Sequence, residues 1–238
     1  MARQKLGQHF LADQSVLRRI AIAACAKDEP VVTEIGPGKG ALTEFLLQRA
    51  KHVVAVELDP ELADHLAARF PQVELIRGDA LQAGLGTTGP IAGNLPYYVA
   101  TPIISRVLRL GRIGTFLIQK EVAERITAAK GSRDYGYFSV ECQFFATAEY
   151  LFTVKPGSFR PPPKVDSAVI RLTPRPTREV VDSEGFLRFV GRCFQHKRKT
   201  LRNNLGRADF PESSLRAEQL SLEEFAALYT RLVPSTQV

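Results

Sequence analysis

Apolar residues in this chain form short continuous runs, separated by stretches in which they recur at helical spacing. Val31-Val32-Thr33-Glu34-Ile35, Val53–Val56, Val73–Ile76, the run Pro90–Gly93 that ends at Asn94, and Thr115–Ile118 read as buried strands. Asp13 is placed to cap a helix over Gln14–Ala26, with Val16, Leu17, Ile20 and Ile22 among its apolar positions. Further helices are expected over Ala41–Arg49, Pro60–Phe70 (opened by its proline), Thr101–Leu110 and Glu121–Ala129. Strand and helix alternate throughout, which predicts an α/β fold with a doubly wound, mostly parallel sheet. Tyr137–Ala146 reads as another helix. Ala148–Val154 and Ser167–Leu172 read as two late strands that pair across the proline-rich loop Lys155–Val165.

The pattern changes after Leu172. Pro174-Arg175-Pro176 reads as a linker, and beyond it only helical patterns occur: Glu184–Phe194, Lys197–Leu205, and Leu222–Leu232 with Ser221 as cap. The expected division is a catalytic domain over 1–174 and a small all-helical domain over 175–238.

Composition narrows the function classes. With 238 residues and 45% hydrophobic content, the chain can bury a real core. No apolar run is long enough to span a bilayer, and the basic start at Met1–Leu6 is not followed by the apolar stretch of a secretion signal. Cys25, Cys142 and Cys193 lie far apart, as do the four histidines, so neither a disulfide framework nor metal-ligand spacing is present. A cytoplasmic protein without a metal, and without a membrane partner, is expected. The net charge of +7 and the pI near 9.5 favour a polyanionic partner, with phosphate backbone the first candidate.

The loops after the strands carry the chemistry. Gly36-Pro37-Gly38-Lys39-Gly40 allows close backbone approach to a ligand, and Glu57 ends the next strand where a carboxylate can accept from both hydroxyls of a ribose. These two features suit a dinucleotide as well as S-adenosylmethionine (SAM). Asp79, after the third strand, is placed either to accept from an adenine amine or to cap a turn. Asn94-Leu95-Pro96-Tyr97, after the fourth, combines an amide, a rigid proline and an aromatic ring. That set suits a flat base with an exocyclic amine: Asn94 and the Leu95 or Pro96 carbonyl accept from the amine, and Tyr97 stacks. Phe159 is a candidate for the other face of the base, or else a ring that pins its loop. Gly36, Glu57, Asp79 and Asn94 all fall at carboxyl ends of successive strands, where ligands sit in such sheets.

Taken in order, Gly7-Gln-His-Phe-Leu11, Glu34-Ile-Gly-Pro-Gly38, Val56-Glu-Leu-Asp59, Gly78-Asp-Ala80, Asn94-Leu-Pro-Tyr97, Gln119-Lys-Glu-Val122, Phe159–Ser167 and Lys197–Asn203 resemble the small-subunit ribosomal RNA adenine dimethyltransferase family over nearly the whole chain. The resemblance implies a class I, Rossmann-like SAM-dependent methyltransferase sheet with a small helical C-terminal domain. It also implies conversion of two adjacent adenosines near the 3′ end of 16S rRNA to N6,N6-dimethyladenosine, within the 30S subunit or its precursor. The family's donor-binding positions fall on His9, Leu11, Gly36, Glu57, Asp79 and Asn94; Gly38 joins them through the glycine loop.

Basic residues gather at Lys197-Arg198-Lys199 with Arg202 close by. If this stretch is helical, Arg198 and Arg202 share a face, and the cluster is expected to hold rRNA phosphates. A monomer is expected. Three other readings compete: a large-subunit adenine N6-methyltransferase of the macrolide-resistance type, a ribosome-assembly factor that keeps the fold without catalysis, and an NAD-dependent oxidoreductase. The last leaves Asp79 and the Asn94–Tyr97 segment without a purpose.

Overall fold

A computed structural model describes residues 9–176 and 182–233. The chain begins with a short strand β1 (Phe10–Leu11) and helix α1 (Gln14–Ala24). Asp13 caps α1, its carboxylate accepting from the Ser15 and Val16 N–H groups. There follow β2 (Glu29–Ile35), α2 (Ala41–Leu46), β3 (Ala50–Glu57), α3 (Pro60–Arg69), β4 (Glu74–Arg77), β5 (Ile91–Asn94), α4 (Ala100–Arg109), β6 (Gly114–Gln119) and α5 (Lys120–Thr127). Then come α6 (Tyr137–Phe145), β7 (Ala146–Val154), β8 (Phe159–Arg160), β9 (Ser167–Pro174), α7 (Ser183–Cys193), α8 (Leu201–Leu205) and α9 (Leu222–Leu232).

A seven-stranded sheet runs β4-β3-β2-β5-β6-β9-β7. The neighbours from β4 to β6 pair in parallel, while β9 joins β6 antiparallel, with Phe116 opposite Ile170. The doubly wound sheet expected from the alternation is therefore present, and the two late strands are neighbours in it. Val32, Val53, Ala92, Leu117 and Val169 share one core cluster with Leu17 and Ile20 of α1 and Leu42 of α2. On β6, Phe116 and Ile118 have the opposite parity and are fully buried too, so both faces of the sheet are covered. The chain runs outward from β2 through β3 to β4, then restarts on β2's other side with β5. This makes the carboxyl ends of β2 and β5 a topological switch point, the place where such sheets take ligands.

Two differences from the sequence reading affect the site. The pair β1–β8, with Leu11 opposite Phe159, forms a separate two-stranded ribbon; strands of two residues are too short for a periodic pattern to mark. The helix expected over Lys197–Leu205 begins only at Leu201, and Lys197–Lys199 lie in a turn. Asn204 fixes that turn: its amide oxygen accepts from the His196 N–H at 3.1 Å, and its NH2 donates to the Cys193 carbonyl at 2.7 Å.

The chain divides into two compact units, residues 1–123 with 148–174, and 124–147 with 175–238. The second unit is thus larger than the expected 175–238. The reason is aromatic and aliphatic packing: Tyr135, Val140 and Phe144 share a core cluster with Phe186, Val190, Phe225 and Leu228. Cys25, Cys142 and Cys193 are buried free thiols, and desolvation raises each above the ordinary thiol range, Cys193 to about 12.

Candidate active site

At the switch point lies a cleft that opens to solvent. One wall is the turn after β2. Gly36 and Gly38 hold φ of 65° and 57°, left-handed values that L side chains rarely adopt, and a Cβ on Gly38 would sit 3.1 Å from the Phe10 ring. Glu57, at the end of β3, fixes this turn. One carboxylate oxygen accepts from the Gly38 N–H at 3.0 Å and the other from the Asp59 N–H at 2.9 Å. Each oxygen keeps a lone pair, so the group that shapes the loop can still accept from ligand hydroxyls.

The opposite wall is the segment after β5. Asn94 faces the same cleft as Gly36 and Glu57. Its NH2 donates to the His9 carbonyl at 3.2 Å, so its Oδ1 is the atom left to accept from a ligand. Leu95 is buried, its N–H donating to the Leu117 carbonyl at 3.0 Å. The Pro96 carbonyl accepts from the Val99 N–H at 3.1 Å, closing a turn. Tyr97 lies inside that turn. Its hydroxyl meets the Ser167 hydroxyl at 2.8 Å, and its ring centroid is 6.0 Å from that of His9.

A strap from the start of the described chain completes the cleft. His9, Phe10 and Leu11 line it, and His9 Nδ1 donates to the Pro161 carbonyl at 2.9 Å. That bond sets the imidazole tautomer, because a carbonyl only accepts. Lys39 places its ammonium 5.0 Å from the Phe10 ring centroid.

Glu34 is a cleft residue that the sequence reading passed over. It is 1% exposed, and its Oε2 accepts from the Thr43 hydroxyl at 2.6 Å. Burial raises its pKa to about 8; the Thr43 bond lowers it in part, and the nearby Glu57 charge raises it further. Its signal in the sequence is a carboxylate inside the apolar strand Val31–Ile35, directly before the glycine loop. The folded state holds this proton where an unfolded Glu, with a pKa of 4.5, has lost it. Glu34 therefore favours folding at low pH and costs stability as pH rises from there through about 8. Glu34→Gln is expected to flatten the decline of unfolding free energy over that window, by on the order of a few kcal/mol at its upper end. Urea denaturation across a pH series checks this, and an unaltered slope refutes it.

Asp79 caps the turn after β4, its Oδ1 accepting from the Leu81 N–H at 2.8 Å, which leaves its second carboxylate oxygen to accept from a ligand. Phe159 reaches the cleft wall but is 1% exposed and belongs to the core cluster around Leu17 and Leu42. Its ring packs rather than offering an open face, because β8 is held against β1 beneath the strap. Lys197, Arg198, Lys199 and Arg202 are all exposed, but the first three do not share a helical face with Arg202. Lys197 donates to the Arg133 carbonyl at 2.9 Å. Among the described residues no cluster of His, Cys, Asp or Glu could hold a metal ion.

Residues 1–224 match the family model described as ribosomal RNA adenine dimethylase. The chain belongs to that family. It is 41% identical to the ribosomal RNA small subunit methyltransferase A of Chlorobium chlorochromatii, over 96% of this chain and 93% of the relative. It is 42% identical to the protein of the same name from Pseudomonas syringae pv. tomato, over 95% and 93%. Among solved structures, a dimethyladenosine transferase from Plasmodium falciparum superposes with a TM-score of 0.82 at 26% identity, covering 94% of this chain and 98% of that one. The 23S rRNA methyltransferase ErmE superposes with a TM-score of 0.71, also at 26% identity, covering 92% and 98%. The fold is thus the class I fold of SAM-dependent methyltransferases, and the dimethylase family is SAM-dependent. The oxidoreductase reading falls with this membership.

Proposed function

We propose that this chain transfers methyl groups from SAM to the N6 amines of two adjacent adenosines near the 3′ end of 16S rRNA, acting on the 30S subunit or its precursor as a cytoplasmic monomer. The observation that carries the reading is the shared cleft: Asn94, with Oδ1 open, lies across from Gly36 and Glu57. The small-subunit names of its 41–42% identical relatives favour this target over the large subunit. Among the described residues no helix is long and apolar enough to cross a membrane.

The cleft's residues fit SAM and an extruded adenine. Glu57 takes the donor's ribose hydroxyls beside the Gly36–Gly38 turn, and His9 and Leu11 cover it; Asp79 would reach the donor's adenine amine through its second carboxylate oxygen. SAM supplies an electrophilic methyl group on a sulfonium that leaves as a neutral thioether. Adenine N6 is a weak nucleophile because its lone pair is delocalised into the ring. Asn94 Oδ1, with the Leu95 or Pro96 carbonyl, accepts from the N6 hydrogens, localises that lone pair and stabilises the positive charge that develops on nitrogen. Tyr97, held by Ser167, supports the base, and the rest is positioning of two reactants in line. No strong base is needed, since the proton can pass to water after transfer. Phe159 takes part in stacking only if its ring moves out of its packed position.

Purified 30S and 50S particles incubated with labelled SAM test the target, and label on 50S alone would transfer the assignment to the large-subunit branch. The exposed cluster Lys197, Arg198, Lys199 and Arg202 holds rRNA phosphates in this reading. Neutralising Lys197, Arg198 and Lys199 together is expected to weaken particle binding and lower the slope of log affinity against log salt by about two. An unaltered slope removes the cluster from the RNA site.

A further inference from the structure

Four consecutive residues, Asn94 to Tyr97, line one side of the cleft and each is held in place; Tyr98 follows them directly in the chain. Asn94 and Tyr97 are held by side-chain hydrogen bonds, Leu95 is buried, and Pro96 closes the turn. Tyr98 is not committed. It is 58% exposed, and neither its ring nor its hydroxyl has a partner among the described residues. Adjacent positions of the Pro96–Val99 turn send their side chains different ways: Tyr97 inward to Ser167, Tyr98 outward to solvent. Two residues before Ser167, Val165 is 48% exposed, and the neighbouring Lys164 is exposed with no partner among the described residues. A bare ring one residue from Tyr97, and an apolar side chain and an unpaired cation two and three residues from Ser167, thus lie close along the chain to the two ends of the Tyr97–Ser167 hydrogen bond.

We propose that Tyr98 forms a second base subsite on the rim, stacking the nucleotide next in the strand to the one held in the cleft. The inference rests on the reading of the cleft as an adenine site. Extruding one base from a stack strips its neighbour of a stacking partner. An aromatic ring one residue from Tyr97 replaces that partner without reading sequence, because every base offers a π face. Lys164 faces the backbone phosphate that connects the two nucleotides. With two adjacent target adenosines, the subsite holds the other member of the pair in one round and the nucleotide flanking the pair in the other.

The test uses the full chain, immature small-subunit particles and labelled SAM, with Tyr98→Ala, Tyr98→Leu and Tyr98→Phe. Stacking of this kind predicts a KM for the particle raised about tenfold in the alanine and leucine variants and near the parent value in the phenylalanine variant. SAM affinity measured without RNA should match the parent in all three. Parent-like KM in the alanine variant overturns the inference. So does a phenylalanine variant as impaired as alanine, which would assign the effect to the hydroxyl. If the parent protein itself labels no particle, the cleft reading fails and the subsite fails with it, an outcome distinct from three variants that merely match an active parent.

Discussion

Asn94→Ala is expected to bind SAM within about tenfold of the parent and to lose methyl transfer by about 100- to 1,000-fold, the loss usual for removing one preorganised group that stabilises transition-state charge. The donor side of the cleft stands on the Gly36–Gly38 turn and Glu57, and neither touches the Asn94 side chain through a hydrogen bond. What the substitution removes is the acceptor for the amine, together with the 3.2 Å bond to the His9 carbonyl. That second loss costs about 1 kcal/mol, which sets the modest allowance on SAM affinity. Asn94→Asp should fare no better, since a carboxylate has no proton for the His9 carbonyl and would turn an oxygen against it. Calorimetry beside a methyl-incorporation assay separates the two effects. Near-normal turnover in Asn94→Ala would remove the amide from the chemistry.

Glu57→Ala should show the reverse pattern, with SAM affinity falling by more than about 100-fold and little turnover recoverable at high donor concentration. Two effects add here. The side chain is 6% exposed, and its loss leaves the Gly38 and Asp59 N–H groups without the acceptors they have at 3.0 and 2.9 Å. Each such group costs about 1–3 kcal/mol, so the fold itself should weaken by a few kcal/mol. The donor's ribose then loses its acceptor as well as a correctly shaped turn. Glu57→Gln divides these contributions: one oxygen still satisfies one N–H, while its NH2 confronts the other donor. Its stability should lie between parent and alanine variant. Parent-like SAM binding in Glu57→Ala would show that the donor sits elsewhere.

The parallel sheet was readable because its strands are short apolar runs between amphipathic helices, and both signals are local. The cleft was readable because glycine, Glu57 and Asn94 sit at strand ends, so topology alone brings them together. Three features were not readable, each for a reason of distance. Leu11 pairs with Phe159 across 148 residues of chain through strands of two residues, too short for periodicity to register. Phe159 is read from its place before the prolines as either a face for the base or a ring that pins its loop, and that pairing packs it into the core. The segment Lys197–Lys199 has helical composition, but Asn204 binds the backbone at Cys193 and His196 and holds it as a turn. Composition reports what a segment prefers alone, and a side chain seven residues on decided otherwise. Glu34 shows the opposite case: its signal was local and visible, yet only the Thr43 contact and the burial reveal why a carboxylate is tolerated there.

The buried thiols have a practical consequence. Maleimide and iodoacetamide reagents attack the thiolate, and in the folded chain Cys25, Cys142 and Cys193 are both shielded and held protonated. The native protein is therefore a dark background for site-specific fluorophores. A probe attached through Lys164→Cys, exposed and three residues before Ser167, would report the arrival of RNA without any need to strip out the natural cysteines first.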